Sequence, residues 1–221
     1  MSIFRVDIKF RTPCVLQDDL YFDTLVSAAY AKKILQSDYY KGKQAGDIDL
    51  VRNTLSQYID TEYSVFKCSK LLFKSDNEAT TFYTKRFHFE DANKIKMKAK
   101  NIDTGRGYAK NYHKHMQYKV AYEGYFYVSG DLPKIQALLT AYITHIGKKA
   151  SQGYGEVAGY DFCTVEKFPW ILQGELVRNI PAKEFDNLPY TAEELSKIKR
   201  QCGYKAVVPP YWRSETVFCF Y

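Results

Sequence analysis

The chain has 221 residues, of which 46% are hydrophobic and 20 are tyrosines, and it carries a formal net charge of +7. This composition predicts a folded protein of one domain with a sizeable core and excludes a disordered chain, while the positive charge permits a polyanionic partner. No apolar run reaches about 18 residues, which argues against a membrane span, and the charged start MSIFRVDIKF argues against a signal peptide. The five cysteines are scattered, which argues against a disulfide framework and a zinc site. We therefore expect a cytoplasmic protein with reduced thiols.

Strands and helices alternate through the first three quarters of the chain. Residues 3–10 alternate apolar and charged side chains, which indicates a half-buried strand, and Asp23 and Asp131 stand where helix caps are expected. The predicted order is a strand over 3–10, helices over 24–36 and 48–59, strands near 63–73, 80–90 and 118–128, a helix over 131–146 and a strand over 156–164. Its regular core predicts an α+β fold of the ferredoxin-like or RRM-like βαββαβ type.

The carboxy-terminal quarter has a different character. From Phe168 onward the chain is punctuated by five prolines and contains one short helical segment, TAEELSKIKRQ. We therefore expect an RRM-like domain over residues 1–167 and an irregular extension over residues 168–221 that packs on the same domain.

The positive charge of the chain is concentrated in one insertion, residues 94–119. Eight basic residues face a single acidic one, Asp103, and eight minus one gives +7, which equals the net charge of the whole chain. The basic residues are Lys94, Lys96, Lys98, Lys100, Arg106, Lys110, Lys114 and Lys119. Within the insertion KIKMKAK alternates lysines with apolar residues and DTGRG is turn-forming, which together predict a long basic hairpin.

Aromatic and imidazole rings interleave with these lysines in YAKNYHKHMQYK. Such a hairpin suits a nucleic acid, because lysines neutralise phosphates and rings stack on unpaired bases. Two other interpretations stay open. The lysines could instead protect exposed strand edges, or His113 and His115, which face the same side of a strand, could supply general acid–base chemistry on RNA together with Lys114.

A glycine-rich connection, HIGKKASQGYGEV at residues 145–157, joins a predicted helix to a predicted strand. It holds more glycine and lysine than a helix exit needs. Glycines let backbone N–H groups approach a phosphate, and the lysines, serine and glutamine add charge and polar contacts. The simpler interpretation is a helix cap at Gly147 and a packed ring at Tyr154. The order of a Walker phosphate loop is missing, which argues against nucleotide hydrolysis.

Three stretches together resemble one protein family. They are GKKASQGYGEV between helix and strand, the amino-terminal FRVDIKFRTPCVLQDDLYFDTLVSAAYA, and VVPPYW near the carboxy terminus. They resemble the RAMP superfamily of CRISPR-associated RNA-binding proteins. Within it they are most similar to the Cas5-like subunit that caps the 5′ handle of the guide RNA (crRNA) in type IV CRISPR effector complexes.

The resemblance implies a ferredoxin-like domain with a thumb insertion at about 91–118, in a non-catalytic ribonucleoprotein subunit of antiviral or anti-plasmid defence. Its implied partners are crRNA, the backbone subunits and the large subunit; contact with target DNA near the flanking motif stays open. No cofactor or metal is expected. The predicted RNA-binding residues are Lys148, Lys149, Ser151, Gln152, Gly153, Tyr154, Gly155, Arg106, Lys110, Tyr112, His113, Lys114 and His115.

Two other functions remain open at this stage. One is a metal-independent endoribonuclease that processes precursor crRNA. The other is a protein-only scaffold whose basic hairpin docks an acidic partner.

Overall fold

The structure is a computed structural model and describes residues 2–16, 19–41, 54–74, 77–88, 90, 103–107 and 109–221. The first half of the helix predicted over 48–59, residues 48–53, and the whole alternating segment KIKMKAK lie outside these ranges. None of the helices that the structure describes is long and apolar enough to cross a membrane.

The chain forms short strands and a few helices. In chain order they are β1 (Ser2–Phe10), α1 (Phe22–Leu35), β2 (Thr61–Glu62), β3 (Val65–Phe66), β4 (Leu72–Phe73), β5 (Asn77–Lys85), β6 (Tyr112–Val120), β7 (Glu123–Gly130), α2 (Leu132–Tyr142), β8 (Val157–Thr164), β9 (Ile171–Leu172), β10 (Glu175–Leu176), β11 (Ile180–Pro181), α3 (Ala192–Ser196), β12 (Cys202–Ala206) and β13 (Thr216–Phe220). Short 3₁₀ helices cover Gln36–Lys41, Ala150–Gln152 and Ala182–Asn187. The fold is therefore mixed α+β with antiparallel sheets, and the predicted α+β class is confirmed.

A four-stranded antiparallel sheet in the order β4-β7-β1-β8 carries the main core. β1 is an inner strand of this sheet and pairs with both β7 and β8. Its alternating pattern buries the apolar side chains of one face, Phe4, Val6, Ile8 and Phe10. Phe4, Val6 and Ile8 share one apolar cluster with residues of α1 and α2, among them Val26 and Leu139. Both helices thus pack on the same face of the sheet.

The start of each helix shows how the sequence works locally. α2 begins as predicted, because the Asp131 carboxylate accepts a hydrogen bond from the Lys134 backbone N–H at 3.2 Å and a proline occupies the first turn. The predicted cap of α1 is wrong. Tyr21 occupies the cap position without a side-chain hydrogen bond, and Asp23 is a fully buried residue of the first turn. Its carboxylate has a distant partner, described below.

The segment after residue 167 is more regular than predicted. It contains the antiparallel sheet β11-β13-β12, and α3 begins with a capping box between Thr191 and Glu194. Its own apolar cluster includes Trp170 and Ile180, and Ile3 and Tyr127 of the main sheet pack against that cluster. The segment consequently covers part of the sheet face opposite to the helices.

β5 and β6 form a separate two-stranded sheet. The strand predicted over 118–128 is in fact two strands, because β6 ends at Val120 and β7 begins at Glu123. Between them the Tyr122 carbonyl accepts a hydrogen bond from the Phe10 N–H at 2.8 Å, where the chain passes from hairpin to main sheet. The strand predicted over 80–90 is also displaced, since it belongs to β5 and not to the main sheet.

Candidate nucleic-acid interface

The glycine-rich loop, residues 145–157, is closed on itself and fastened to the segment that follows β1. The Ile146 N–H donates to the Gly155 carbonyl at 2.9 Å, which closes the loop at its base. The Gly155 N–H donates to the Pro13 carbonyl at 2.9 Å, and the Lys148 N–H donates to the Val15 carbonyl at 2.8 Å. The loop is therefore held in one conformation by backbone hydrogen bonds on two sides.

Two glycines make this close approach sterically feasible. Gly147 has φ +94°, and a Cβ there would lie 2.6 Å from the Val15 carbonyl oxygen. Gly155 has φ +68°, and a Cβ there would lie 1.9 Å from the Ile146 carbonyl oxygen. Both positions combine a left-handed backbone with backbone contact, which glycine alone accommodates.

Two backbone N–H groups of the loop have acceptors inside the protein. The Gly155 N–H donates to the Pro13 carbonyl, and the Gly153 N–H donates to the Ala150 carbonyl at 3.0 Å. These two hydrogen bonds help to shape the loop. Contact of Gly153 and Gly155 with RNA stays a prediction.

What the loop presents outward is a set of side chains. Lys148, Ser151 and Gln152 are exposed, while Lys149 and Tyr154 are half-buried. Lys149 adopts φ +68°, in the left-handed region that non-glycine residues rarely occupy. The loop thus offers a rigid polar and cationic surface at the sites that the sequence identified.

One face of the β5–β6 hairpin carries stacked rings. The ring of Phe82, 60% exposed, lies parallel to that of His113 with centroids 4.7 Å apart and planes at 8°. His115 packs edge-on to Phe82 at 5.6 Å, and Thr84 Oγ1 hydrogen-bonds His113 Nδ1 at 2.6 Å. Phe82 was missed by the sequence analysis, because only the pairing of β5 with β6 places it beside the histidines.

The opposite face of the hairpin carries a cation on a ring. Lys114 Nζ lies 5.7 Å from the centroid of the Tyr112 ring. Successive residues of a strand point to opposite faces, so His115 lies across the hairpin from Lys114. His113 and His115 share the face that carries Phe82, as the sequence predicted, whereas Lys114 lies on the other face and does not converge with them. Nor is any group of three His, Cys, Asp or Glu side chains placed to hold a metal ion within the described ranges.

The remaining predicted contacts lie near the DTGRG turn. Arg106 donates from Nε to Asp103 Oδ2 at 2.6 Å, and this hydrogen bond, with one from the Gly105 N–H, lowers the pKa of the Asp103 carboxyl. Lys110 is exposed. Asp103 thus offsets much of the local charge of Arg106, whereas no hydrogen bond or ion pair of the described residues engages the Lys110 ammonium.

The loop and the root of the hairpin are both attached to the segment at the end of β1. The segment after β1 contacts the hairpin root, since Phe10 bonds Tyr122 and the Cys14 N–H donates to the Ala121 carbonyl at 3.5 Å. The same segment holds the loop through Pro13 and Val15. Residues 10–15 therefore lie between the two elements for which the sequence predicted RNA contacts.

A buried ion pair joins the two ends of the fold. Arg178 Nη2 lies 2.7 Å from Asp23 Oδ2, and the two side chains are 1% and 0% exposed. Arg178 also donates to the Val207 carbonyl at 2.8 Å, and the Tyr211 hydroxyl donates to Asp23 at 2.8 Å. Burial alone would lower the pKa of Arg178, but the charge and hydrogen bond of Asp23, together with Cys68 and Tyr211, raise the pKa well above its usual value. This network ties the first turn of α1 to the VVPPYW segment.

A family model and a solved structure match the chain. No curated protein matches the chain. A chain in the "Cryo-EM structure of the Type III-B Cmr-beta bound to cognate target RNA" is 11% identical with a TM-score of 0.34, over 74% of this chain and 61% of that one. A likeness at this level does not assign a function. The family model described as "CRISPR type IV associated protein Csf3" matches residues 86–221, which is more than half of the chain. The chain belongs to the Csf3 family of CRISPR type IV associated proteins.

Proposed function

We propose that this chain is a non-catalytic crRNA-binding subunit of a type IV CRISPR effector complex, holding the 5′ handle and contacting the backbone and large subunits. One observation carries the proposal. The cationic loop at 145–157 and the root of the ring-bearing hairpin are both fastened to residues 10–15. Phosphates need cations and unpaired bases need stacking rings, and the loop supplies the cations while the hairpin supplies the rings.

We further propose that the main domain is ferredoxin-like, with β5–β6 as its thumb. Sheet order β4-β7-β1-β8 with both helices on one face supports this arrangement, β4 standing as the second strand of βαββαβ. β4 is only two residues long, although isolated bridges from Ile59 to Gly130 and from Cys68 to Val128 extend the same edge.

The loop is tested by reversing its charge. Replacing Lys148 and Lys149 together by glutamate should abolish recovery of crRNA with the complex, because two phosphate-binding cations become two repelling anions. The measurement is sequencing of RNA that copurifies with this chain when it is expressed with its complex partners.

The matched control reverses two exposed lysines elsewhere, Lys33 and Lys167, which alters the net charge equally. Recovery should then persist. Loss in both variants would show that only total charge matters, and persistence in both would exclude the loop from RNA binding.

The hairpin is tested through the salt dependence of binding. Replacing Lys110 and Lys114 by alanine should reduce the slope of log K against log salt by roughly one to two units, since each phosphate contact contributes about 0.7–0.9. Titration of a labelled 5′-handle RNA at several salt concentrations measures the slope. An unaltered slope would mean that neither lysine touches a phosphate.

The absence of catalysis is part of the proposal. The placement of His115 across the hairpin from Lys114 supports it. Repeat RNA incubated with the purified chain and a chelator should stay intact. Site-specific cleavage that disappears in His115→Ala would instead identify a metal-independent endoribonuclease.

A further inference from the structure

A row of rings lies on one face of the carboxy-terminal sheet, far along the chain from the loop and the hairpin. Tyr204 on β12 and Phe218 on β13 are directly opposite in the strand register, with ring centroids 5.5 Å apart. They are 73% and 45% exposed. Phe220 continues the row, 6.4 Å from Phe218. Tyr204 and Phe218 therefore leave much of their ring surface in water in the isolated chain.

A cation closes the row at its inner end. The guanidinium of Arg200 lies 4.8 Å from the centroid of Phe220 and 4.7 Å from that of Phe185. We call Arg200, Tyr204, Phe218 and Phe220 the aromatic strip. Beside Arg200 a cavity of about 300 Å³ opens, lined by Phe185, Asp186, Tyr190, Ala192, Leu195, Ser196 and Arg200.

The charge around the strip has one sign along the chain. Residues 197–205, KIKRQCGYK, contain Lys197, Lys199, Arg200 and Lys205 and no acidic residue. All four cations are exposed. Lys197 pairs with Glu193. The other three, Lys199, Arg200 and Lys205, have no carboxylate partner among the described ion pairs. Lys205 Nζ lies 4.7 Å from the centroid of the Tyr221 ring.

This combination favours a nucleic acid over a protein partner. The core of a protein interface is depleted in lysine and other charges, whereas single-strand binding surfaces pair stacking rings with cations for the backbone. Asp186 is the acidic residue in the cavity lining, and a carboxylate there suits the amino groups of a base.

We propose that the aromatic strip is a second nucleic-acid site, which binds a single strand by stacking bases on Tyr204 and Phe218 and holding a phosphate with Arg200. The site goes beyond the handle-binding role, since it shares no residue with the loop or the hairpin. Rings and cations do not read the sugar, so the strand is either RNA or DNA.

Photo-crosslinking tests the strip without interference from the other sites. The full chain is irradiated with a 12-nucleotide RNA containing 4-thiouridine, or with the matching DNA containing 4-thiothymidine, and crosslinked peptides are mapped by mass spectrometry. We expect crosslinks in the peptides that contain Tyr204 and Phe218. They should vanish in Tyr204→Ala/Phe218→Ala while crosslinks in the hairpin persist.

Affinity gives the second readout. Fluorescence anisotropy with the same strands should show about 10-fold weaker binding or more for the double variant, the loss expected for removing a stacked base. Tyr204→Trp should retain affinity because it keeps a stacking ring. Ile34→Ala, which truncates an exposed apolar side chain on α1, should change nothing. Circular dichroism checks folding, and Tyr204→Ser alone replaces the double variant if that one unfolds.

The outcomes separate the alternatives. Loss with both strands supports a general single-strand site, and loss with one alone assigns the strip to that strand. Unchanged crosslinks and affinity in a folded double variant would overturn the proposal. If that variant bound the strands normally but no longer bound a protein partner, the strip would be a protein-binding surface and the proposal would also be overturned.

Discussion

Replacing Arg178 by alanine should lower the free energy of unfolding by about 3–5 kcal/mol, as expected when one member of a buried ion pair is removed. The variant leaves the Asp23 carboxylate buried with only the Tyr211 hydroxyl as a side-chain partner. It also removes the hydrogen bond to the Val207 carbonyl. Urea denaturation followed by circular dichroism measures the change.

Lys197→Ala is the matched control for this experiment. Its ion pair with Glu193 is equally short, 2.6 Å, but both side chains are more than two thirds exposed. Solvent screens such a pair, so the free energy of unfolding should hardly change. A loss in Arg178→Ala as small as in the control would show that the Asp23 carboxylate reaches water when its partner is removed.

Replacing Gly155 by alanine should cost about 2–5 kcal/mol of stability, from about 1–2 for a left-handed non-glycine residue and about 1–3 for overpacking. The new Cβ would lie 1.9 Å from the Ile146 carbonyl oxygen, so the loop base would have to open. Because the loop carries the proposed RNA contacts, crRNA recovery should fall as well. Urea denaturation and RNA copurification measure the two effects.

Gly153→Ala separates conformation from contact. Gly153 also has a positive φ, +84°, but a Cβ there meets nothing within 4 Å. This variant should therefore lose only the conformational part, about 1–2 kcal/mol. Equal losses at the two positions would mean that the Ile146 contact relaxes without cost.

Elements with local determinants could be predicted from the sequence. β1 follows from alternation within nine residues, and α2 follows from Asp131 and the proline beside it. Asp23 looked the same as Asp131 in sequence, yet its partners are Arg178 and Tyr211. No local sequence pattern distinguishes a carboxylate that caps a helix from one that pairs with a guanidinium far along the chain.

The candidate site divides in the same way. That lysines and polar side chains would stand outward on the loop could be read from its composition, and the structure exposes Lys148, Ser151 and Gln152. The role of the Gly155 amide could not, because its acceptor is the Pro13 carbonyl, more than a hundred residues earlier. The pairing of β6 with β5 was also missed. Strand pairing depends on the register between two strands, and the charge pattern of the insertion does not determine that register.

The Asp23 network also bears on how the chain is made. Asp23 lies 155 residues before Arg178 and 188 residues before Tyr211. At about 5–20 residues per second, a ribosome needs roughly 10–40 s between the first helix and its last partner. For the first 155 residues of that interval the carboxylate lacks its guanidinium, and β1 lacks β7 and β8 for much of it. The nascent chain thus completes its fold only after its carboxy-terminal segment has been synthesised, and the apolar residues of β1 lack their sheet neighbours until β7 and β8 have been made.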